Sequence, residues 1–265
     1  MSIIYFDCFS GISGDMINGA LLDAGLPFEV LEQEIAKLNL SDYHIKAEQV
    51  VKRGVSATKF TVETHEHHPH RHLGDIQQII ENSGLEDQVK KTVLEIFTRL
   101  AEAEGKIHGV SPEKIHFHEV GAVDAIIDIV GAVAGLHKLG ITRVVASPLN
   151  IGSGWTKCMH GQMPVPAPAT LELLRGVTVY SSGTSLELVT PTGAAIITTI
   201  CREFGHLPLM IPNAVGYGAG SANPPIPNLL RVIIGEENCY EIGKSNDKKH
   251  QHIGALLANT KLKND

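Results

Sequence analysis

The sequence predicts an α/β fold, with mixed α+β left open, in which strands and helices alternate around a mixed sheet. Three observations carry that expectation. An apolar stretch at residues 3–6 runs through Ser10-Gly11-Ile12-Ser13-Gly14 into a helical pattern starting near Asp15. Residues 58–64 alternate Phe60 and Val62 with Thr61 and Glu63, the two-residue period of a half-buried strand. Val89, Val93, Ile96, Phe97 and Leu100 fall instead at the three-and-four spacing of one helix face.

The remaining elements follow in chain order. Leu31, Ile35 and Leu38 share a helix face, and residues 43–51 and 58–64 read as two strands around Arg53-Gly54. Ile76, Ile79 and Ile80 mark a short helix that pairs with the longer one after it. Ser111-Pro112-Glu113 has the form of a capped helix start, residues 123–139 of a helix and residues 143–147 of a strand. Pro168 opens a helix over 169–175, and Pro191-Thr192-Gly193 precedes another over 194–204. Gly216-Tyr217-Gly218-Ala219-Gly220 reads as a flexible segment able to touch a substrate or simply to turn, and residues 229–234 as the last strand. The folded region is expected over 1–236, with a division into two subdomains near 65–75 left open. A polar, flexible tail is expected over 237–265.

Composition narrows the function. With 43% hydrophobic residues in 265, the chain can bury a substantial core. A formal charge of −7 without a Lys/Arg cluster opposes nucleic-acid binding. The most apolar region, 120–139, carries Asp124, Asp128, His137 and Lys138, so it reads as a core helix and not as a membrane span. The start lacks the features of a secretory signal, and Cys8, Cys158, Cys201 and Cys239 are too scattered for a thiolate zinc site. A reducing cytoplasm fits best; a homo-oligomer is left open.

Metal chemistry is the strongest signal. Five of fourteen histidines, His65, His67, His68, His70 and His72, lie within eight residues, and neutral imidazole suits nickel, zinc or copper. Pro69 opposes a helix there, so the run reads as a loop that wraps an exchangeable ion; a merely solvated histidine-rich loop is the competing reading. A second cluster, His116-Phe117-His118-Glu119 followed by Asp124 and Asp128, would place imidazoles on one side of a strand and carboxylates on one helix face, around one ion. A strand-edge pair with helix-capping acids competes. The turn Ser10-Gly11-Ile12-Ser13-Gly14-Asp15 offers amides at a helix start to a phosphate, or is a structural turn. Asp7 stands at a strand end, Thr190-Pro191-Thr192-Gly193 is a second polar turn, and Arg231 suits a phosphate or an ion pair. No nucleophile–base pair is legible.

Taken in order, Phe6-Asp7-Cys8-Phe9-Ser10-Gly11-Ile12-Ser13-Gly14-Asp15-Met16, the histidine run and His116-Phe117-His118-Glu119-Val120-Gly121-Ala122-Val123-Asp124 resemble the LarC family of nickel-insertion proteins. Pro164-Val165-Pro166-Ala167-Pro168-Ala169-Thr170, Glu187-Leu188-Val189-Thr190-Pro191-Thr192-Gly193-Ala194-Ala195 and Pro227-Asn228-Leu229-Leu230-Arg231 extend the likeness to about residue 236. The resemblance implies insertion of Ni(II) into pyridinium-3,5-bisthiocarboxylic acid mononucleotide, with CTP and a divalent metal used by a C-terminal companion portion that this chain does not match. It also implies a nickel-pincer cofactor made for lactate racemase, whose apoprotein becomes a candidate partner. On this basis the five run histidines are expected to collect nickel. His116, His118, Glu119 and Asp124 are expected near the transfer site. Ser10, Gly11, Ser13, Gly14, Asp15 and Arg231 are expected to meet the substrate. A noncatalytic nickel chaperone or store, and a metal-dependent phosphohydrolase, are the alternatives.

Overall fold

A computed structural model describes residues 1–64, 71–117, 122–158 and 161–237. Most of the histidine run, residues 65–70, lies outside the described residues, as do His118, Glu119 and the tail beyond 237. The chain opens with strand β1 (Ser2–Asp7), helices α1 (Gly14–Asp23) and α2 (Phe28–Ala36), and the hairpin β2 (Tyr43–Lys52) and β3 (Val55–Thr64). Next come the short β4 (Arg71–His72), α3 (Leu73–Glu81), α4 (Asp87–His108), the two-residue β5 (His116–Phe117) and α5 (Val123–Lys138). The second half holds β6 (Arg143–Ala146), β7 (Leu149–Asn150), β8 (Trp155–Cys158), β9 (Gly161–Pro164), α6 (Pro168–Leu173), β10 (Val179–Tyr180), α7 (Pro191–Ile200), β11 (Glu203–Phe204), β12 (Met210–Ala219) and β13 (Leu229–Glu237).

Seven strands form one mixed sheet in the order β11-β6-β1-β13-β12-β3-β2. β1 runs parallel to β6 but antiparallel to β13, and β12 runs antiparallel to β13 but parallel to β3. The expected α/β class is therefore what the chain adopts, with both strand directions in one sheet. The hairpin turns at Arg53 and Gly54, both at positive φ (52° and 86°), the conformation that matches the twist of paired strands.

α1 lies directly on β12 and β3, and glycine makes that approach feasible. A Cβ at Gly218 would stand 1.8 Å from the Met16 carbonyl oxygen, and one at Gly216 would stand 2.2 Å from that of Ala20. Asp23, the last residue of α1, fixes the seat by accepting from the Tyr217 amide at 2.8 Å and the Thr58 hydroxyl at 2.9 Å. The glycine-rich segment at 216–220, read from sequence as flexible, is thus largely the strand beneath α1. Alternate glycines there serve a close approach between backbones.

α5 is the central helix, with 12 of its 16 residues buried, so it is enclosed by protein on nearly all sides. It packs on α1, α2, α4 and α7, while α4 spans α3, α5, α6 and α7. Phe97 of α4 meets Phe117 of β5 edge to face, with ring centroids 6.4 Å apart. No helix among the described residues is long and apolar enough to cross a membrane.

Two expected helices are shorter than the sequence suggests. Ser111-Pro112-Glu113 opens only a single 3-10 turn, Pro112–Lys114, because the chain leaves it at Ile115 in extended conformation (ψ 129°). α7 stops at Ile200, and residues 203–204 join β6 as an edge strand. Pairing with the exposed edge of β6 prevails over a helical pattern that no glycine or proline interrupts before Gly205.

Candidate functional site

Three helix N-termini face one cavity of about 430 Å³. Gly14 and Asp15 of α1, Asp124 and Ala125 of α5, and Thr190, Pro191 and Thr192 at the start of α7 line it, with Lys59, Phe60, Thr61 and Val62 of β3 along one wall and Asp128, Glu187 and Ser221 completing the rim and floor. Each helix start brings amides that lie outside the helix's own hydrogen-bond ladder and the positive end of a helix dipole.

Local sequence explains these starts. Gly11 takes φ +83°, and a Cβ there would stand 1.9 Å from the Leu188 carbonyl oxygen. The turn is therefore held against the segment before α7, with the Ile12 amide donating to Leu188 at 2.9 Å and the Thr190 amide donating back to Ile12 at 3.1 Å. Thr190 caps α7 by accepting from the Gly193 amide at 3.1 Å, and Pro191 follows at a position where no amide donor is needed. At Gly14 a Cβ would fall 2.6 Å from the Asp128 carboxylate, so glycine is what lets α1 and α5 meet at the cavity.

The electrostatics are mixed. Asp15 accepts from its neighbour's Met16 amide at 2.9 Å and from the Ser13 hydroxyl, and pairs with Lys59. Lys59 also donates to Ser221 at 2.7 Å and is the single basic residue among the described residues of the lining. Asp124 is exposed and accepts from the Ala125 amide at 2.9 Å. Asp128 keeps some accessible surface toward the cavity, yet protein surrounds its carboxyl. Burial, then the neighbouring Asp15 and Asp124, push its pKa well above the usual carboxylate range, against the opposing effects of Asn18 and Lys59. Asn18 donates to the Asp128 backbone oxygen at 3.0 Å and more loosely to Oδ1 at 3.4 Å.

Of the residues expected from sequence to meet a substrate, Ser13, Gly14 and Asp15 line the cavity. Ser10 is fully buried and Gly11 shapes the turn behind the wall. Arg231 sits on β13 opposite Asp7, to which its Nε donates at 3.0 Å, and is not part of the lining. Of the expected transfer residues, Asp124 lines the cavity, while His116 lies in β5 and pairs through its backbone with His72 of β4. The C-terminal end of the histidine run and the start of the second histidine cluster, 44 positions apart in sequence, are therefore neighbours. His72 itself is the N-cap of α3: its amide donates to Asp75 at 2.8 Å and its Nδ1 lies 3.0 Å from the Ile115 carbonyl oxygen. His65, His67, His68, His70, His118 and Glu119 fall outside the described residues. Among the described residues no three His, Cys, Asp or Glu side chains converge as a metal-holding group. Lys59 and Ser221 do not stand out in the sequence, because each is an ordinary polar residue until the fold gathers it, and Glu187 stands there only as the first residue of a family-like motif.

A larger cavity of about 670 Å³ lies at the other ends of α5 and α7, lined by Leu136, His137, Thr199 and Ile200. The C-termini of α5 and α7 and the first turn of α4 meet there, with Lys91, Arg202 and Arg143 in the lining, Arg143 being paired with Glu203 and Glu237.

Residues 4–260 match the protein family described as nickel insertion protein. The chain is 57% identical over 236 residues to the pyridinium-3,5-bisthiocarboxylic acid mononucleotide nickel insertion protein of Desulfitobacterium hafniense, covering 89% of this chain and 59% of that protein. It is 50% identical over 248 residues to the protein of the same name from Geobacillus kaustophilus, covering 89% and 60%. The chain thus spans about three-fifths of the length of these curated relatives. No solved structure matches it. With a family match across nearly the whole sequence and identities of this size, the chain belongs to the nickel insertion protein family.

Proposed function

We propose that this chain collects Ni(II) and inserts it into pyridinium-3,5-bisthiocarboxylic acid mononucleotide in the cavity between α1, α5 and α7. In the complete protein the reaction uses CTP, bound with a divalent metal on a companion portion, and acts in the cytoplasm to make the nickel-pincer cofactor of lactate racemase. The observation that carries this reading is the cavity itself: three helix N-termini and Lys59 beside Asp15, Asp124, Asp128 and Glu187. A mononucleotide phosphate is an anion for helix N-termini and Lys59. A pyridinium ring and a divalent ion are cations, for which the carboxylates are complementary. A volume of about 430 Å³ is of the size that holds a small ligand.

Nickel loads on His65, His67, His68, His70 and His72, since imidazole holds nickel without the retention of thiolate. Chain connectivity supports delivery from there. His65 directly follows β3, whose residues 59–62 line the cavity, and His118 and Glu119 lie in the short link between β5 and α5, whose first turn lines it. His116, His118, Glu119 and Asp124 then serve the transfer. A nickel store without insertion chemistry has no use for the phosphate-suited helix starts.

Two measurements separate loading from substrate binding. Changing the five run histidines to alanine is expected to lower nickel stoichiometry and affinity in a titration; unchanged values contradict the loading role. Lys59→Ala is expected to weaken mononucleotide binding by about tenfold or more, the value of one lost charge-assisted bond, and to leave the nickel titration unchanged. Undiminished nucleotide affinity would place the phosphate elsewhere.

A further inference from the structure

Joining nickel to a ring carbon that carries hydrogen must release a proton, and the cavity holds several carboxylates that differ in what they already do. Asp15 is engaged by Ser13, the Met16 amide and Lys59. Asp124 is exposed to solvent and accepts from the Ala125 amide. Asp128 lies one helical turn deeper on α5 than Asp124, beside the start of α1, with Asn18 on Oδ1 and no cation among the described residues bonded to it. Its Oδ2 and Cβ would each stand 2.6 Å from a Cβ at Gly14.

We propose that Asp128 is the base that takes the ring proton when nickel bonds to carbon. This rests on the nickel-insertion reading above. In the step, the electron pair of the ring C–H bond becomes the nickel–carbon bond, the proton passes to Oδ2 of Asp128 and thence to water at the cavity mouth. Nickel stays Ni(II), so neither oxidant nor reductant is consumed. Its proton affinity fits that role, because a carboxylate held above its ordinary range by burial and by Asp15 and Asp124 accepts a carbon-bound proton more readily than a solvated one. The charged groups that act on it are Asp15 from α1, Asp124 from its own helix and Lys59 from β3, and Glu187 from the segment before α7 lines the same cavity. An incoming Ni(II) adds positive charge, which favours the ionised form needed to act as base. Asn18 holds one carboxylate oxygen and leaves Oδ2 for the proton.

The test compares the wild-type chain with Asp128→Asn, each supplied with the companion portion, CTP, Ni(II) and the thiocarboxylated mononucleotide. Nickelated product is detected by mass, nickel and nucleotide binding by equilibrium dialysis, and folding by thermal melting. Asp128→Asn is expected to form product about 100-fold more slowly or worse, the lower end of what a positioned base contributes, a loss much larger than any it shows in nickel or nucleotide binding. The wild-type rate is expected to rise with pH to a plateau, and the residual rate of the variant to lack that rise. A variant that inserts nickel at the wild-type rate overturns the role of Asp128 and leaves nickel insertion standing, and one that loses binding in step with insertion makes Asp128 a ligand-holding residue instead. A wild-type chain that makes no product removes the insertion reading, and the base with it.

Discussion

Gly218→Ala is expected to destabilise the protein by about 3 kcal/mol or more and to weaken ligand binding at the same time. The added carbon would stand 1.8 Å from the Met16 carbonyl oxygen and 2.7 Å from the Ala20 amide nitrogen. Both are backbone atoms, so no side-chain rotation relieves the clash, and α1 must lift from the sheet. The first turn of α1 is a wall of the cavity, so stability and substrate affinity fall together. Gly74→Ala is the control. It sits at the start of α3 with nothing within 4 Å of an added Cβ, and the change is expected to stay within about 1 kcal/mol of wild type. Urea unfolding of the two variants reads the difference; a Gly218→Ala chain as stable as Gly74→Ala would mean that α1 does not rest on β12 as described.

Asp128→Asn is expected to melt at a higher temperature than wild type at neutral pH, although it loses insertion activity. The folded chain raises the pKa of Asp128 above its unfolded value, which means that folding favours the protonated acid. The stabilisation it brings is complete below the unfolded pKa of about 3.9. It is lost as pH rises through the folded value, where the buried, negatively surrounded carboxyl must ionise. An amide of the same shape keeps its contact with Asn18 and never ionises. The gap in melting temperature should therefore open above about pH 4 and widen until the folded pKa is passed. A gap that is absent, or that closes as pH rises, contradicts the environment assigned to Asp128. A more stable but inactive variant also marks a residue kept for chemistry at a cost to the fold.

Much of the scaffold is legible in the sequence because it depends on local patterns. The β1–turn–α1 unit, the hairpin around Arg53 and Gly54, and the apolar run that becomes α5 each show within about twenty residues of chain. β12 does not. Gly216 and Gly218 look like flexible backbone until α1 is placed on top of them, because the reason for the missing side chains is a helix about two hundred positions away. The end of α7 is misread for a related reason: residues 203–204 continue a helical pattern, and only the open edge of β6 makes them a strand.

The site divides the same way. Histidine density and the glycine turn are local signals and stand out from sequence. The cavity is not local: Asp15, Lys59, Asp128 and Thr190 come from four distant segments, and Lys59 is one lysine among many until its ammonium is found against Asp15 and Ser221. Likewise, nothing in the residues alone says that His72 and His116 will lie opposite each other. Their pairing follows from the way α3, α4 and the 3-10 turn bring residues 71–72 and 116–117 together.

Whether nickel enters the mononucleotide in the cavity between α1, α5 and α7 is decided by reconstitution with Ni(II), CTP, the thiocarboxylated mononucleotide and the companion portion. Each component is omitted in turn, and product is followed by mass. Nickelated product is expected with the full set and is expected to vanish when nickel, the mononucleotide or this chain is withheld. Product that forms equally well without this chain would contradict insertion at this cavity.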